Sequence, residues 1–199
     1  MLTRATIEIK QGEVVGIVGE NGSGKSTLMK ILVGALEADS GSVDVNGRIG
    51  WCPQEELLYD RLTVRETFRL FGEGYGMKAS AIDAARERLA SRLGFEEYLE
   101  YRIDQLSGGN RQKVNLSIAL MHDPDILLLD EPYTGFDWDT YLGFWDLTAD
   151  LKERGTAVAM ISHLINERER FDHILELMDG KLNDVTEDGS SQAAEKGVR

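Results

Sequence analysis

Apolar residues along this chain fall into two patterns, unbroken runs closed by turn residues and stripes at helical spacing. Val14-Val15-Gly16-Ile17-Val18, Ile126-Leu127-Leu128-Leu129 and Thr156-Ala157-Val158-Ala159-Met160-Ile161 are of the first kind. Strands of a parallel sheet covered on both faces look like this. Thr27-Leu28-Met29-Lys30-Ile31-Leu32 follows the first run and predicts a helix. Thr6-Ile7-Glu8-Ile9-Lys10 alternates as a half-exposed strand would, turned by Gln11-Gly12-Glu13. Ser42-Val43-Asp44-Val45 and Arg48-Ile49-Gly50-Trp51 flank Asn46-Gly47, which predicts a tight hairpin and a small antiparallel piece.

From Glu55 to about Gln105 the pattern is helical. Thr63-Val-Arg-Glu66 and Ser80-Ala-Ile-Asp83 both fit a helix start at which a hydroxyl and a carboxylate satisfy free N–H groups. Phe68, Phe71 and Tyr75 are expected to pack inside this insertion, in preference to forming a docking surface. Leu106-Ser107-Gly108-Gly109-Asn110 opens a further helix with Val114, Ile118 and Met121 on one face, stopped by His122-Asp123-Pro124. Another helix spans Trp138 to Arg154 and stops at Gly155, and Ile174–Met178 with Lys181-Leu182 flank a second hairpin signal, Asp179-Gly180. The reading is one α/β domain over residues 1–185, with core 1–54 and 107–185 and a helical subdomain 55–106; the polar tail 186–199 is expected to be disordered.

With 199 residues the chain can bury a core without disulfides or structural metal, and its single cysteine, Cys52, suits a reducing compartment. Cys52 reads as a small buried residue at a strand end. A formal charge of −13 argues against nonspecific nucleic-acid binding. No stretch has the length or apolarity of a membrane span, and the first residues do not form a secretory signal. The expectation is a cytoplasmic protein whose membrane attachment, at the inner face, comes through a partner.

The chemistry starts at Gly19-Glu20-Asn21-Gly22-Ser23-Gly24-Lys25-Ser26-Thr27. The spacing G-x-x-x-x-G-K-S between a strand and a helix makes a phosphate cradle: glycines let N–H groups turn inward, and the helix adds the positive end of its dipole. Lys25 would reach the β- and γ-phosphates, and Ser26 would offer a hydroxyl to Mg²⁺. A glycine turn that merely links strand to helix is the competing reading. Asp130 ends a buried strand, as a metal-directed carboxylate would, and Glu131, pointing the other way by strand alternation, would act on the attacking water. His163, also after a strand, would donate to the γ-phosphate, and Gln54 would offer its amide oxygen to Mg²⁺ or the water; taken alone, each reads as an ordinary turn or loop residue.

In this order the motifs resemble those of the ATP-binding subunit of ABC transporters. Leu106-Ser107-Gly108-Gly109-Asn110 resembles the family's signature sequence, with Gln54, Asp130-Glu131, Asp137 and His163 standing in the Q-loop, Walker B, D-loop and switch-histidine positions. The resemblance spans essentially Leu2 to Leu182 and implies a P-loop NTPase fold, ATP and Mg²⁺ as ligands, and ATP hydrolysis. It also implies a head-to-tail dimer, homo- or heterodimeric, in which Ser107 and Gly109 of one protomer face the ATP held by Lys25 of the other. The implied partner is a transmembrane subunit, and Leu62-Thr63-Val64-Arg65-Glu66 resembles drug and lipid exporters. The chain departs from the pattern at Asn110, where glutamine is usual, and at Phe136, where leucine is common. The aromatic residue that stacks on adenine in the family would stand before Met1. Either the chain is truncated, or its true start lies upstream, or another group holds the base, and weaker binding with looser base selectivity is then the expectation. A cytoplasmic ABC-type mechanical switch is the alternative, and a nucleotide-binding scaffold without turnover is disfavoured by Glu131 and His163.

Overall fold

In the computed structural model, which describes residues 2–162 and 165–186, the apolar runs lie side by side. Strand β1 (Val14–Val18) leads through a glycine loop into helix α1 (Lys25–Leu32), and β2 (Ile49–Cys52) follows. Helices α2 (Val64–Gly74), α3 (Ala79–Leu93) and α4 (Gly108–Leu120) come next, then β3 (Ile126–Asp130), α5 (Trp138–Glu153) and β4 (Ala157–Ile161). A 3₁₀ segment, Ile165–Arg170, precedes β5 (His173–Met178) and β6 (Lys181–Asp184). The order in the sheet is β2-β3-β4-β1-β5-β6. All neighbours are parallel except β5 and β6, which pair antiparallel around Asp179 and Gly180, both at positive φ.

Alternation sorts each central strand onto two faces. Leu127, Leu129, Val158 and Met160 pack in one cluster with residues of α2, α3, α4 and α5, whereas Leu128, Ala159 and Ile161 pack on the other side with Leu28 and Met29 of α1. Both faces are therefore covered, which is why these runs carry no polar alternation. Helix α4 is buried at every residue from Gln112 to Leu120. Its approach to β2 is tight enough that a Cβ on Gly50 would sit 2.2 Å from the Ala119 carbonyl oxygen. Gly50→Ala is accordingly expected to cost about 3 kcal/mol and to lower the thermal midpoint by several degrees, measured by circular dichroism melting.

Local signals lose to long-range pairing in two places. Residues 6–10 form no strand, because β1 is already flanked by β4 and β5; Ile7 and Ile9 instead lie half-buried against the α1 cluster. Nor do residues 42–51 form a hairpin. Ile49–Cys52 pairs in parallel with β3, while residues 42–48 stay exposed, so the small antiparallel piece lies at the β5–β6 edge. The Arg48 amide donates to Asp125 Oδ2 (2.8 Å), its carbonyl accepts from the Asp125 and Ile126 amides, and a Cβ on Gly47 would strike the Asp125 Cβ at 2.7 Å. Gly47 thus serves a close approach to the residue before β3, not a turn.

Thr63 and Glu66 close a reciprocal cap at the start of α2, as their spacing predicts. The next helix starts two residues earlier than Ser80 implies: Lys78 is the cap residue, its carbonyl accepts from the Ala81 and Ile82 amides, and Ile82, Ala85 and Leu89 turn inward. Phe68 is fully buried and Phe71 packs against the core, but Tyr75 is 42% exposed and stacks on His122 with ring centroids 4.0 Å apart. The expected disorder of the tail concerns residues that, beyond Thr186, lie outside the described ones.

Candidate nucleotide site

Parallel pairing places the carboxyl ends of β1, β2, β3 and β4 along one edge of the sheet. Onto this edge open the glycine loop after β1, Pro53-Gln54 after β2, Asp130-Glu131 at the end of β3 and Ser162 after β4. Ligands of open α/β sheets bind outside such an edge. A depression of about 670 Å³ lies at the opposite edge, between Gln11, Pro124 and Thr156, and no residue of the glycine loop lines it.

The loop is shaped for an anion. Gly19, Gly22 and Gly24 have φ of 146°, 81° and 108°, a region closed to most side chains. A Cβ on Gly19 would lie 2.6 Å from the Leu177 carbonyl oxygen, so the loop also needs glycine there to sit against β5. Gly24 caps α1 in the left-handed conformation, with no side-chain cap hydrogen bond of its own. Lys25 is 7% exposed and folds over its own loop, its ammonium donating to the Gly19 and Glu20 carbonyls at 2.8 and 2.9 Å. Glu20 and Asn21 are exposed, Ser23, Ser26 and Thr27 half-buried, and the buried Ser23 Oγ has no hydrogen-bond partner among the described residues.

Asp130, 4% exposed, ends β3 in register with Ile161. Glu131 is half-buried at φ 51°, its amide donating to the Ile161 carbonyl. Strand alternation does not extend to Glu131, because its backbone has left β geometry; the left-handed turn sets the direction of its carboxylate. Non-glycine residues adopt this conformation at a cost of about 1–3 kcal/mol. Beyond it, the Tyr133 hydroxyl and Ser162 Oγ are 2.5 Å apart, tying the turn after β3 to the exit of β4. His163 is the next residue and lies outside the described ones.

These donors suit magnesium. Mg²⁺ usually takes one or two protein oxygens and fills its octahedron with phosphate and water. Ser26 and Asp130 are hard oxygen donors, and among the described residues no group of three or more His, Cys, Asp or Glu side chains forms a complete protein cage. Cys52 is fully buried at the end of β2; burial raises its thiol pKa above the ordinary range, and the charges of Asp130 and Glu56 raise it further.

Residues 106–110 lead into α4. Ser107 is its cap residue, with Oγ accepting the Asn110 amide at 3.3 Å, so asparagine here preserves the helix start. Ser107 and Gly108 are exposed, and Gly109 and Asn110 half-buried. Gly109 is pressed onto the turn before α5: a Cβ there would lie 2.6 Å from the Gly135 carbonyl oxygen. Asp137 caps α5, accepting the Thr140 amide at 2.8 Å, and that bond holds its carboxyl below the usual range. The 106–110 segment and the turn before α5 are thus in contact within one chain, while Ser107 and Gly108 stay exposed.

A family model described as ABC transporter matches residues 2–134. The chain belongs to the ABC transporter family. It is 37% identical over 182 residues to an uncharacterized ABC transporter ATP-binding protein of Methanocaldococcus jannaschii, covering 91% of this chain and 70% of that protein. Against the ABC transporter ATP-binding protein NatA of Bacillus subtilis the identity is 38% over 175 residues, 81% of this chain and 71% of the relative. A Nod factor export ATP-binding protein I of Burkholderia lata is 34% identical over 174 residues, 81% and 57% of the two chains. Among solved structures, an ATP-binding subunit of an ABC transporter superposes with TM-score 0.88 at 25% identity, covering 94% and 84%. A dimeric ABC cassette bound to ADP and Pi gives 0.82 at 27%, covering 92% and 88%. This ABC ATP-binding subunit has, among its described residues, no helix long and apolar enough to cross a membrane.

Sequence reasoning missed the polar side chains buried on α4 and the hydroxyl of Tyr133. Gln112, 6% exposed, donates to the Pro132 carbonyl at 3.0 Å, fastening the turn that follows Glu131 to the signature helix. The available signal was the uncharged polar residues Gln112, Asn115 and Ser117 set among Val114, Leu116, Ile118 and Ala119.

Proposed function

We propose that this chain binds MgATP on its glycine loop, hydrolyses it between two ATPase protomers, and so drives a separate membrane subunit, in the direction of export. The convergence of the glycine loop, Gln54 and Asp130-Glu131 on one sheet edge, with the exposed signature cap held beside the D-loop, carries this reading. On binding, Lys25 would exchange the carbonyls of Gly19 and Glu20 for the β- and γ-phosphates, and the amides of Asn21 to Thr27 would surround them. Ser26, Asp130 and Gln54 would hold Mg²⁺, which neutralises charge on the phosphates. Glu131 would take a proton from water as its oxygen attacks the γ-phosphorus and the bond to the leaving ADP oxygen breaks. His163 would steady the γ-phosphate, and Ser107, Gly108, Gly109 and Asn110 of the second protomer would supply donors across the interface. ATP then stabilises the closed dimer, and hydrolysis releases it.

Residues 55–106 are read as the helical unit that passes this opening to the membrane partner. An apolar groove of about 280 Å³ beside it, lined by Trp51, Leu57, Leu58, Phe71 and Tyr75, supports docking there. The export direction is supported by the name of the Nod factor relative and the likeness of Leu62–Glu66 to exporter subunits. Phosphate release by the purified chain, with and without Mg²⁺, tests the enzymatic core of the proposal. Absence of both nucleotide binding and turnover in a folded sample would overturn it.

A further inference from the structure

Two side chains of α4 that no part of the proposed mechanism uses grip the segment carrying Gln54. Asn115, 4% exposed, donates from Nδ2 to the Pro53 carbonyl at 3.0 Å and approaches Cys52 Sγ at 3.3 Å. One turn earlier, Arg111 pairs through Nε with Glu56 Oε2 at 2.6 Å and through Nη1 with Asp60 Oδ1 at 2.9 Å. The Arg111 and Glu56 side chains are only 27% and 19% exposed, so this pair is less screened than a surface ion pair. Pro53 and Glu56 bracket Gln54, and both anchors come from one helix. Ser107, Arg111 and Asn115 are spaced four apart, so they form a single stripe along α4 that begins at the signature cap.

We propose that Arg111 and Asn115 are positioning residues for Gln54, fastening its segment to the signature helix so that the two move as one body. The proposal rests on the ATPase reading above, in which Gln54 reaches the metal or the attacking water. A segment of four residues pinned at both ends has little freedom, so the Gln54 backbone follows α4, and α4 in turn follows whatever meets Ser107. The same helix holds the turn after Glu131 through Gln112, which gives the signature stripe a path to both sides of the reacting phosphate.

Arg111→Met keeps the stem and removes the clasp. ATP affinity of the isolated subunit and KM for ATP should stay as in the wild type, because the phosphate loop is untouched. The expected loss is about tenfold in kcat, with a higher Mg²⁺ concentration needed for half-maximal turnover. Arg111→Lys, which retains a charge toward Glu56, should recover most of this, and Glu56→Gln should reproduce the defect from the other side of the pair. In the nucleotide-free proteins, amide hydrogen exchange over residues 54–60 should be faster in Arg111→Met and Glu56→Gln than in wild type or Arg111→Lys. Unchanged kcat and Mg²⁺ dependence in Arg111→Met, unchanged exchange, or a lysine variant as defective as methionine would overturn the proposal. If the wild type itself releases no phosphate, the ATPase reading fails instead, and the exchange comparison still decides whether the clasp restrains the segment.

Discussion

Glu131→Gln is expected to leave MgATP binding intact and to cut phosphate release by about 10²–10⁴-fold, the usual contribution of a general base. The substitution is nearly isosteric, and the backbone that aims the side chain is held independently: the Glu131 amide is bonded to the Ile161 carbonyl and the following turn is anchored by Gln112 on Pro132. The left-handed φ of 51° therefore survives the change, and only the proton acceptor is lost. Equilibrium nucleotide binding and single-turnover phosphate release measure the two halves separately. Turnover equal to wild type would remove Glu131 from the role, and loss of binding would point to a collapse of the β3 exit instead.

Ser107→Arg should impair ATP-dependent dimerisation while sparing ATP binding by the monomer. Ser107 is exposed, remote in sequence from the glycine loop, and bonded locally as the cap of α4. A central interface position obstructed by a long charged side chain loses at least about 2 kcal/mol, or roughly thirtyfold in dimer affinity. Loss of the cap alone costs about 1 kcal/mol of stability; Ser107→Ala isolates this contribution and should still dimerise. Light scattering in the Glu131→Gln background, where unhydrolysed ATP would hold the closed state, gives the cleanest reading. A Ser107→Arg subunit that dimerises normally would exclude a site completed by the signature segment of a second copy.

Much of the framework of the candidate site was legible because the elements that carry it are local in sequence. The glycine loop needs a strand before it and a helix after it, and Val14–Val18 and Thr27–Leu32 announce both. The covered strands β3 and β4 were equally plain, since a run apolar on both faces has few other homes. Errors came where a local preference met a distant competitor. Asn46-Gly47 has the chemistry of a hairpin, yet Ile49–Cys52 gains more by pairing in parallel with β3 and packing under α4. Thr6–Lys10 alternates like a strand but finds no free edge beside β1.

The amino-acid sequence by itself determined the glycine loop between β1 and α1, the acidic end of β3, the serine cap of α4 and the family to which they point, because each depends on residues adjacent along the chain. Tertiary structure alone decided that Glu131 is aimed by a left-handed turn, that Gly109 must be glycine to pass the Gly135 carbonyl, and that Arg111 and Asn115 close on the Gln54 segment. Those relations join residues brought together only by packing α4 against β2 and the turn before α5, and the side chains concerned carry no periodicity that would reveal their partners.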